Sequence, residues 1–225
     1  MRNAILAVGV VGVLVSAGEA RAQTAPAPAR SPADYTVCIQ PIGSHDRALM
    51  ATAARGIRQL YGFTVKVLAR REMPRAAYYA PRKRWRAERL LDWLDANVVP
   101  KAGCSAVLGF TSVDISTTKD QHIDWGVLGL GSLGGPSAVV SSFRMRGTTR
   151  KNRHARAVKV VNHELGHVLG LDHYTGPDEN CLMEDAGGTV RTVDRETGRH
   201  CPSDVAAIAR LHNFRIPNGD TTSHP

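Results

Sequence analysis

Apolar positions along this 225-residue chain recur with two different periods, and their succession sketches a layered architecture. Over residues 46–60, Leu49, Ala53, Ile57 and Leu60 return every three to four residues, which predicts a helix with one buried face. Residues 85–97 carry Leu90, Leu91, Trp93 and Leu94 and predict a second helix, ended before Pro100. A longer one is expected over 152–169, where Val160, Val161, Leu165, Val168 and Leu169 form the apolar stripe. A last helix over 203–211 opens on a serine cap. Between them, short β-prone runs occupy 36–40, 63–68, 106–111, 127–130 and 138–142. Helices interleaved with strands in this way predict a mixed α/β (α+β) layer arrangement.

The chain's beginning fits none of these patterns. Arg2, an apolar run from Ile5 to Val15, and Ala20-Arg21-Ala22 have the order of a secretory signal peptide over residues 1–22. The run is shorter than the roughly 20 apolar residues a membrane span needs, so no span is expected in the mature form. Residues 23–34, rich in Ala and Pro, are expected to be a flexible leader. Residues 35–225 are long enough for a single domain with its own core. A secreted or periplasmic location follows from the signal.

Charge changes the picture little. Lys and Arg number 29 against 20 Asp and Glu, giving a formal net charge of +9. Two basic clusters stand out, one of Arg82, Lys83, Arg84, Arg86 and Arg89, the other from Arg144 to Lys159. Neither is interleaved with aromatics on a strand platform, so solvated faces are expected rather than a nucleic-acid site. The glycines of Gly129-Leu130-Gly131-Ser132-Leu133-Gly134 match Gly-x-Gly-x-x-Gly, but a strand-like run follows where a dinucleotide site requires a helix. They are expected to form a hairpin loop.

The chemistry lies in the long helix. His163-Glu164-Leu165-Gly166-His167 puts two imidazoles one turn apart on one helical face, able to grip a single ion. Glu164 stands beside the first of them, where a hydrolase needs a base for water. Gly170 permits a sharp backbone turn, and that turn can bring His173 round as a third ligand. Three protein ligands with one open position are the plan of a catalytic zinc site rather than a structural one. A metal-free polar patch would leave several buried groups needing partners.

Past these histidines, Cys181-Leu182-Met183 is followed after 17 residues by Cys201. With the histidine motif, this pattern resembles the archaemetzincin family of metalloproteases. Residues 107–114, residues 139–142 and the helix around Arg84, Trp85, Leu91, Trp93 and Leu94 are similar to that family as well. The resemblance implies a metzincin-like fold: a mixed twisted sheet packed with a catalytic helix and a C-terminal helical subdomain. It also implies that His163, His167 and His173 hold one catalytic Zn2+, that Glu164 is base and then acid, and that Met183 packs beneath the metal without ligating. Residues Val127, Leu128, Gly129 and Leu130 would be the edge to which an extended peptide or protein substrate adds. A monomer is expected.

The chain departs from the family at the second zinc, which four cysteines hold there. Tyr174 and Asp204 stand at two of those positions. A structural zinc on Cys181, Cys201 and Asp204 stays open. In an oxidising compartment a Cys181–Cys201 disulfide is the expected replacement, leaving Cys38 and Cys104 to pair and the second zinc site absent. Cys38 as a latency cap on the zinc is disfavoured by its strand-like surroundings. Two other functions compete with the archaemetzincin-like one: a matrixin-like endopeptidase, which the histidine motif also suits, and a zinc-holding binding module without turnover.

Overall fold

The computed structural model describes residues 28–177 and 180–218. The signal peptide expected over residues 1–22 lies outside the described residues, as do residues 23–27 of the expected leader. The rest of that leader, from Pro28, is docked. Arg30 N donates to Asn213 O (2.7 Å), Asn213 Nδ2 to Pro28 O (3.1 Å), and Thr64 Oγ1 to Ala33 O (2.8 Å).

A five-stranded sheet forms the centre. Its strands are β1 (Thr36–Pro41), β2 (Thr64–Val67), β5 (Ala106–Thr111), β8 (Gly129–Gly131) and β9 (Ser137–Ser141), in the order β2-β1-β5-β9-β8. All neighbours are parallel except β8, which runs antiparallel to β9 at the edge. Strand alternation sends Val37, Ile39, Ala106, Leu108, Phe110, Ala138 and Val140 to one face, where α1 (Arg47–Tyr61) and α4 (Arg150–Val168) cover them. Cys38, Val107 and Val139 point the other way, towards α2 (Ala87–Asn97) and α3 (Val99–Ala102). The parallel strands are therefore buried on both faces, as parallel sheets require.

A second sheet of four short strands runs β3-β4-β6-β7, with β3 at Tyr78–Tyr79, β4 at Arg84–Arg86, β6 at Ile115–Lys119 and β7 at His122–Val127. Two more helices, α5 (Val190–Arg195) and α6 (Pro202–His212), complete the C-terminal part. The fold is mixed α/β, as the sequence implies, but with two sheets in place of one. Among the described residues no helix is long and apolar enough to cross a membrane.

Several boundaries differ from the sequence reading for local reasons. Trp85 is in β4, not in the helix after it, because Tyr78 pairs with it across the strand. The apolar run 127–130 is divided between two sheets, Val127 ending β7 and Gly129 opening β8. The cap of α6 is Cys201, with Pro202 supplying the fixed φ of a first helical position, rather than Ser203. By contrast, Asp46 caps α1 by accepting from Leu49 N (3.0 Å), and Thr149 caps α4 by accepting from Asn152 N (3.2 Å).

The basic clusters are largely paired. Arg84 and Arg144 both clamp Asp114, at 2.9 and 2.8 Å, and Arg156 holds Asp194 at 2.6 Å. Two disulfides staple the chain: Cys38 to Cys104, with Cα atoms 6.0 Å apart, and Cys181 to Cys201, at 5.5 Å. The first closes 66 residues and ties β1 to the turn before β5. Replacing Cys38 and Cys104 together by alanine is expected to cost about 4 kcal/mol in the chain-entropy model, against about 3 kcal/mol for the shorter Cys181–Cys201 loop. Urea midpoints at equal m would check that ranking.

Candidate metal centre

Helix α4 carries the first two histidines, and its C-terminal turn delivers the third. Gly170 adopts φ +88°, a conformation costly to any residue with a Cβ. The Gly170 and Leu171 N–H groups return to His167 O (2.8 Å) and Gly166 O (3.0 Å), which closes the helix in a Schellman turn. The chain thereby reverses, and His173 meets the other two rings. The ligand atoms of His163, His167 and His173 all lie within 4.8 Å of one another, so the three could hold one ion.

The same turn orients the second ring, since His167 Nδ1 lies 2.8 Å from Leu171 O. His163 Nδ1 lies 2.7 Å from Leu182 O. Carbonyls only accept, so each Nδ1 must carry the proton and each Nε2 a lone pair. Those two Nε2 atoms are 3.1 Å apart. Two facing lone pairs repel, and a cation between them removes the conflict. Tetrahedral zinc with bonds of about 2.0–2.1 Å sets ligand nitrogens roughly 3.3 Å apart, which this pair fits. Burial, with His167 alongside, pushes His163 down to about 3, and burial lowers His167 too. Both rings are therefore neutral, the form that ligates.

The surroundings hold the rings in place. Met183 is fully buried, its Sδ against Gly166 on the turn between the two helical histidines. Its backbone O accepts from Tyr174 N (2.7 Å), joining the segment after His173 to the Cys181–Met183 stretch. Tyr61 of α1 donates its hydroxyl to Asn162 O (2.6 Å), the carbonyl just before His163, and lies 2.8 Å from His200 Nε2. Neither Tyr61 nor the two carbonyls carries a sequence signature, and the sequence reading missed them.

Glu164, only 7% exposed, faces the glycine strand. A Cβ on Gly129 would stand 2.5 Å from Glu164 Oε1, and one on Gly131 would stand 2.5 Å from Glu164 O and 2.9 Å from His167 Cβ. The Gly-x-Gly pair thus lets β8 lie flush on the histidine-bearing end of α4. Burial pushes the Glu164 carboxyl up to about 8, with the Gly131 N–H acting against it and Glu196 adding to the rise. A cleft of about 450 Å³ opens between β6–β8 and α4, walled on the far side by residues 185–188, and the three histidines and Glu164 line it. Of the expected edge residues, Val127, Leu128, Gly129 and Leu130 all line this cleft. Met183 does not line it.

Comparison with known proteins gives this geometry its family. The model of peptidase family M54 matches residues 58–210. The chain belongs to that family. Among M54 relatives, the archaemetzincin of Haloarcula marismortui is 31% identical over 176 residues, covering 74% of this chain and 95% of the relative. The crystal structure of archaemetzincin from Methanopyrus kandleri superposes with a TM-score of 0.67 at 29% identity, covering 79% of this chain and 94% of that one. That from Archaeoglobus fulgidus, complexed with malonate, gives 0.64 at 26% identity, covering 76% and 99%. As an M54 member similar to archaemetzincins, this protein is a zinc metallopeptidase, and a matrixin assignment is set aside.

Proposed function

We propose that the protein is a secreted or periplasmic monomeric peptidase in which His163, His167 and His173 hold a single zinc ion and Glu164 is the general base. The observation that carries this reading is the convergence of three imidazoles, two with their tautomers fixed by backbone carbonyls, beside a buried carboxyl in an open cleft. Zinc, when bound, supplies Lewis-acid polarisation of a carbonyl and of water. Glu164 takes the proton from the attacking water and returns it to the leaving amine. Strand β8 offers its free edge, pairing only with β9 among the described residues, so an extended substrate can add there through main-chain hydrogen bonds. A single ion is favoured because Cys181 and Cys201 are joined to each other. Two disulfides and no remaining free thiol among the four cysteines favour an oxidising compartment.

Purified protein is expected to cleave members of a peptide library, to fall to background with a chelator, and to recover when zinc is restored. Zinc retention with no cleavage of any peptide would make the chain the binding module instead.

A further inference from the structure

The cleft contains a carboxyl that neither the family motif nor the mechanism uses. Glu196 follows α5, is only 4% exposed, and lines the same cleft as His163 and Glu164. Among the described residues, none donates a hydrogen bond to its carboxyl oxygens and none forms an ion pair with them. The nearest candidate donor is already committed. Lys159 Nζ is directed at the backbone carbonyls of Val193 (2.9 Å), Asp194 (3.5 Å) and Glu196 itself (2.5 Å). An ammonium has three donors, so none is left for the Glu196 side chain. Burial pushes Glu196 up to about 8, while Lys159 acts to lower it and Glu184 to raise it. The Glu196 carboxyl oxygens open to the cleft, where a ligand donor can take the place of water.

The cleft around it is rich in acidic side chains. The chain carries +9 overall, yet the lining holds Glu164, Asp172, Asp185 and Glu196 against one lysine, Lys119, which is spent on Asp185 at 3.1 Å. The same lining also carries the apolar side chains of Leu128, Val160 and Val193. A cleft that combines these apolar side chains with a carboxyl lacking a protein donor suits a long side chain with an aliphatic stem and a cationic head.

We infer that Glu196 is a specificity-determining residue, selecting substrates with lysine or arginine flanking the scissile bond. The stem packs on Val160 and Val193, and the ammonium or guanidinium gives the carboxylate a charge-assisted hydrogen bond. This inference rests on the peptidase reading above, and the test separates the two.

Matched peptides differing only in the residue on either side of the scissile bond, as Lys, Arg, norleucine or Glu, are compared with zinc-loaded protein. kcat/KM is expected to favour Lys or Arg over norleucine at least tenfold at one of the two positions. In Glu196→Gln, which keeps shape and volume, that ratio is expected to fall below about threefold. An unchanged ratio in Glu196→Gln, or no basic preference in the wild type, overturns the inference while leaving the peptidase reading intact. Independently of turnover, calorimetry with zinc-loaded protein should show lysinamide binding more tightly than norleucinamide, and this difference should vanish in Glu196→Gln. Equal binding of the two amides to wild type overturns the inference even if no peptide is cleaved.

Discussion

Glu164→Gln is expected to lower kcat for peptide cleavage by about 10²–10⁴-fold, the range a positioned general base contributes, while the protein keeps its zinc. The amide has the shape of the carboxylate but cannot take a proton from water. Ligand geometry should survive the change, because it is fixed elsewhere. His163 is oriented by Leu182 O, His167 by Leu171 O, and the approach of His173 by the turn at Gly170. Folding should survive as well. Glu164 is held in a site that disfavours its charge, its carboxyl pushed up to about 8 by burial. In metal-free protein, removing the ionisable group there relieves desolvation rather than breaking an ion pair, so Tm measured without zinc should be equal or higher. Three readouts distinguish the outcomes: kcat, zinc per chain, and Tm. Wild-type turnover with zinc bound would remove Glu164 from the chemistry. Loss of turnover together with loss of zinc would make it a support of the metal site instead.

The histidine cluster was legible because its residues are close in sequence and follow helical spacing. His163, Glu164 and His167 share one turn of α4, and Gly170 signals the reversal that brings His173 back. The helix α1 was legible for the same local reason, with Asp46 as its cap and Leu49, Ala53, Ile57 and Leu60 on its buried face. Strand β5, buried along its whole length, stood out as a continuous apolar run. The β6–β7 hairpin did not. Its sheet is partly exposed, so Thr117, Lys119, His122 and Ile123 dilute any alternation. The run 127–130 read as one strand because apolar character says nothing about which sheet a residue joins. Leu128 is the crossing point between the two.

What the sequence could not reveal is mostly backbone chemistry and distant packing. The carbonyls of Leu171 and Leu182 orient the His167 and His163 rings, but any residue type supplies a carbonyl. Glu196 comes 32 positions after Glu164 in no recognisable motif, and only the packing of α5 beside α4 brings it to the cleft. The glycine motif was read as a hairpin loop, but Gly129 and Gly131 lie in strand β8 and only the residues after them form the turn. Loop geometry alone does not require glycine at 129 and 131; the closeness of α4 does.

That closeness makes Gly131→Ala the sharpest test of how the edge strand serves the site. The new Cβ would lie 2.5 Å from Glu164 O and 2.9 Å from His167 Cβ. Neither neighbour can swing aside, since one is helical backbone and the other is the first carbon of a ring fixed by Leu171 O. Strand β8 must therefore lift from α4, taking with it both the substrate edge and the Gly131 N–H beside the Glu164 carboxylate. A displacement of about 1 Å in positioned groups costs about 10²-fold, so a loss of that size in kcat/KM is expected. Gly129→Ala should behave differently. Its Cβ would meet Glu164 Oε1 and Cγ, atoms of a side chain that can rotate. Glu164 would then be turned from its position while the strand stays down, so kcat should fall with KM nearly unchanged, whereas Gly131→Ala should raise KM as well. Zinc content should remain at the wild-type level in both. Wild-type kinetics in Gly131→Ala would mean that β8 does not need to lie against the helix for catalysis, and substrate addition at that edge would lose its structural basis.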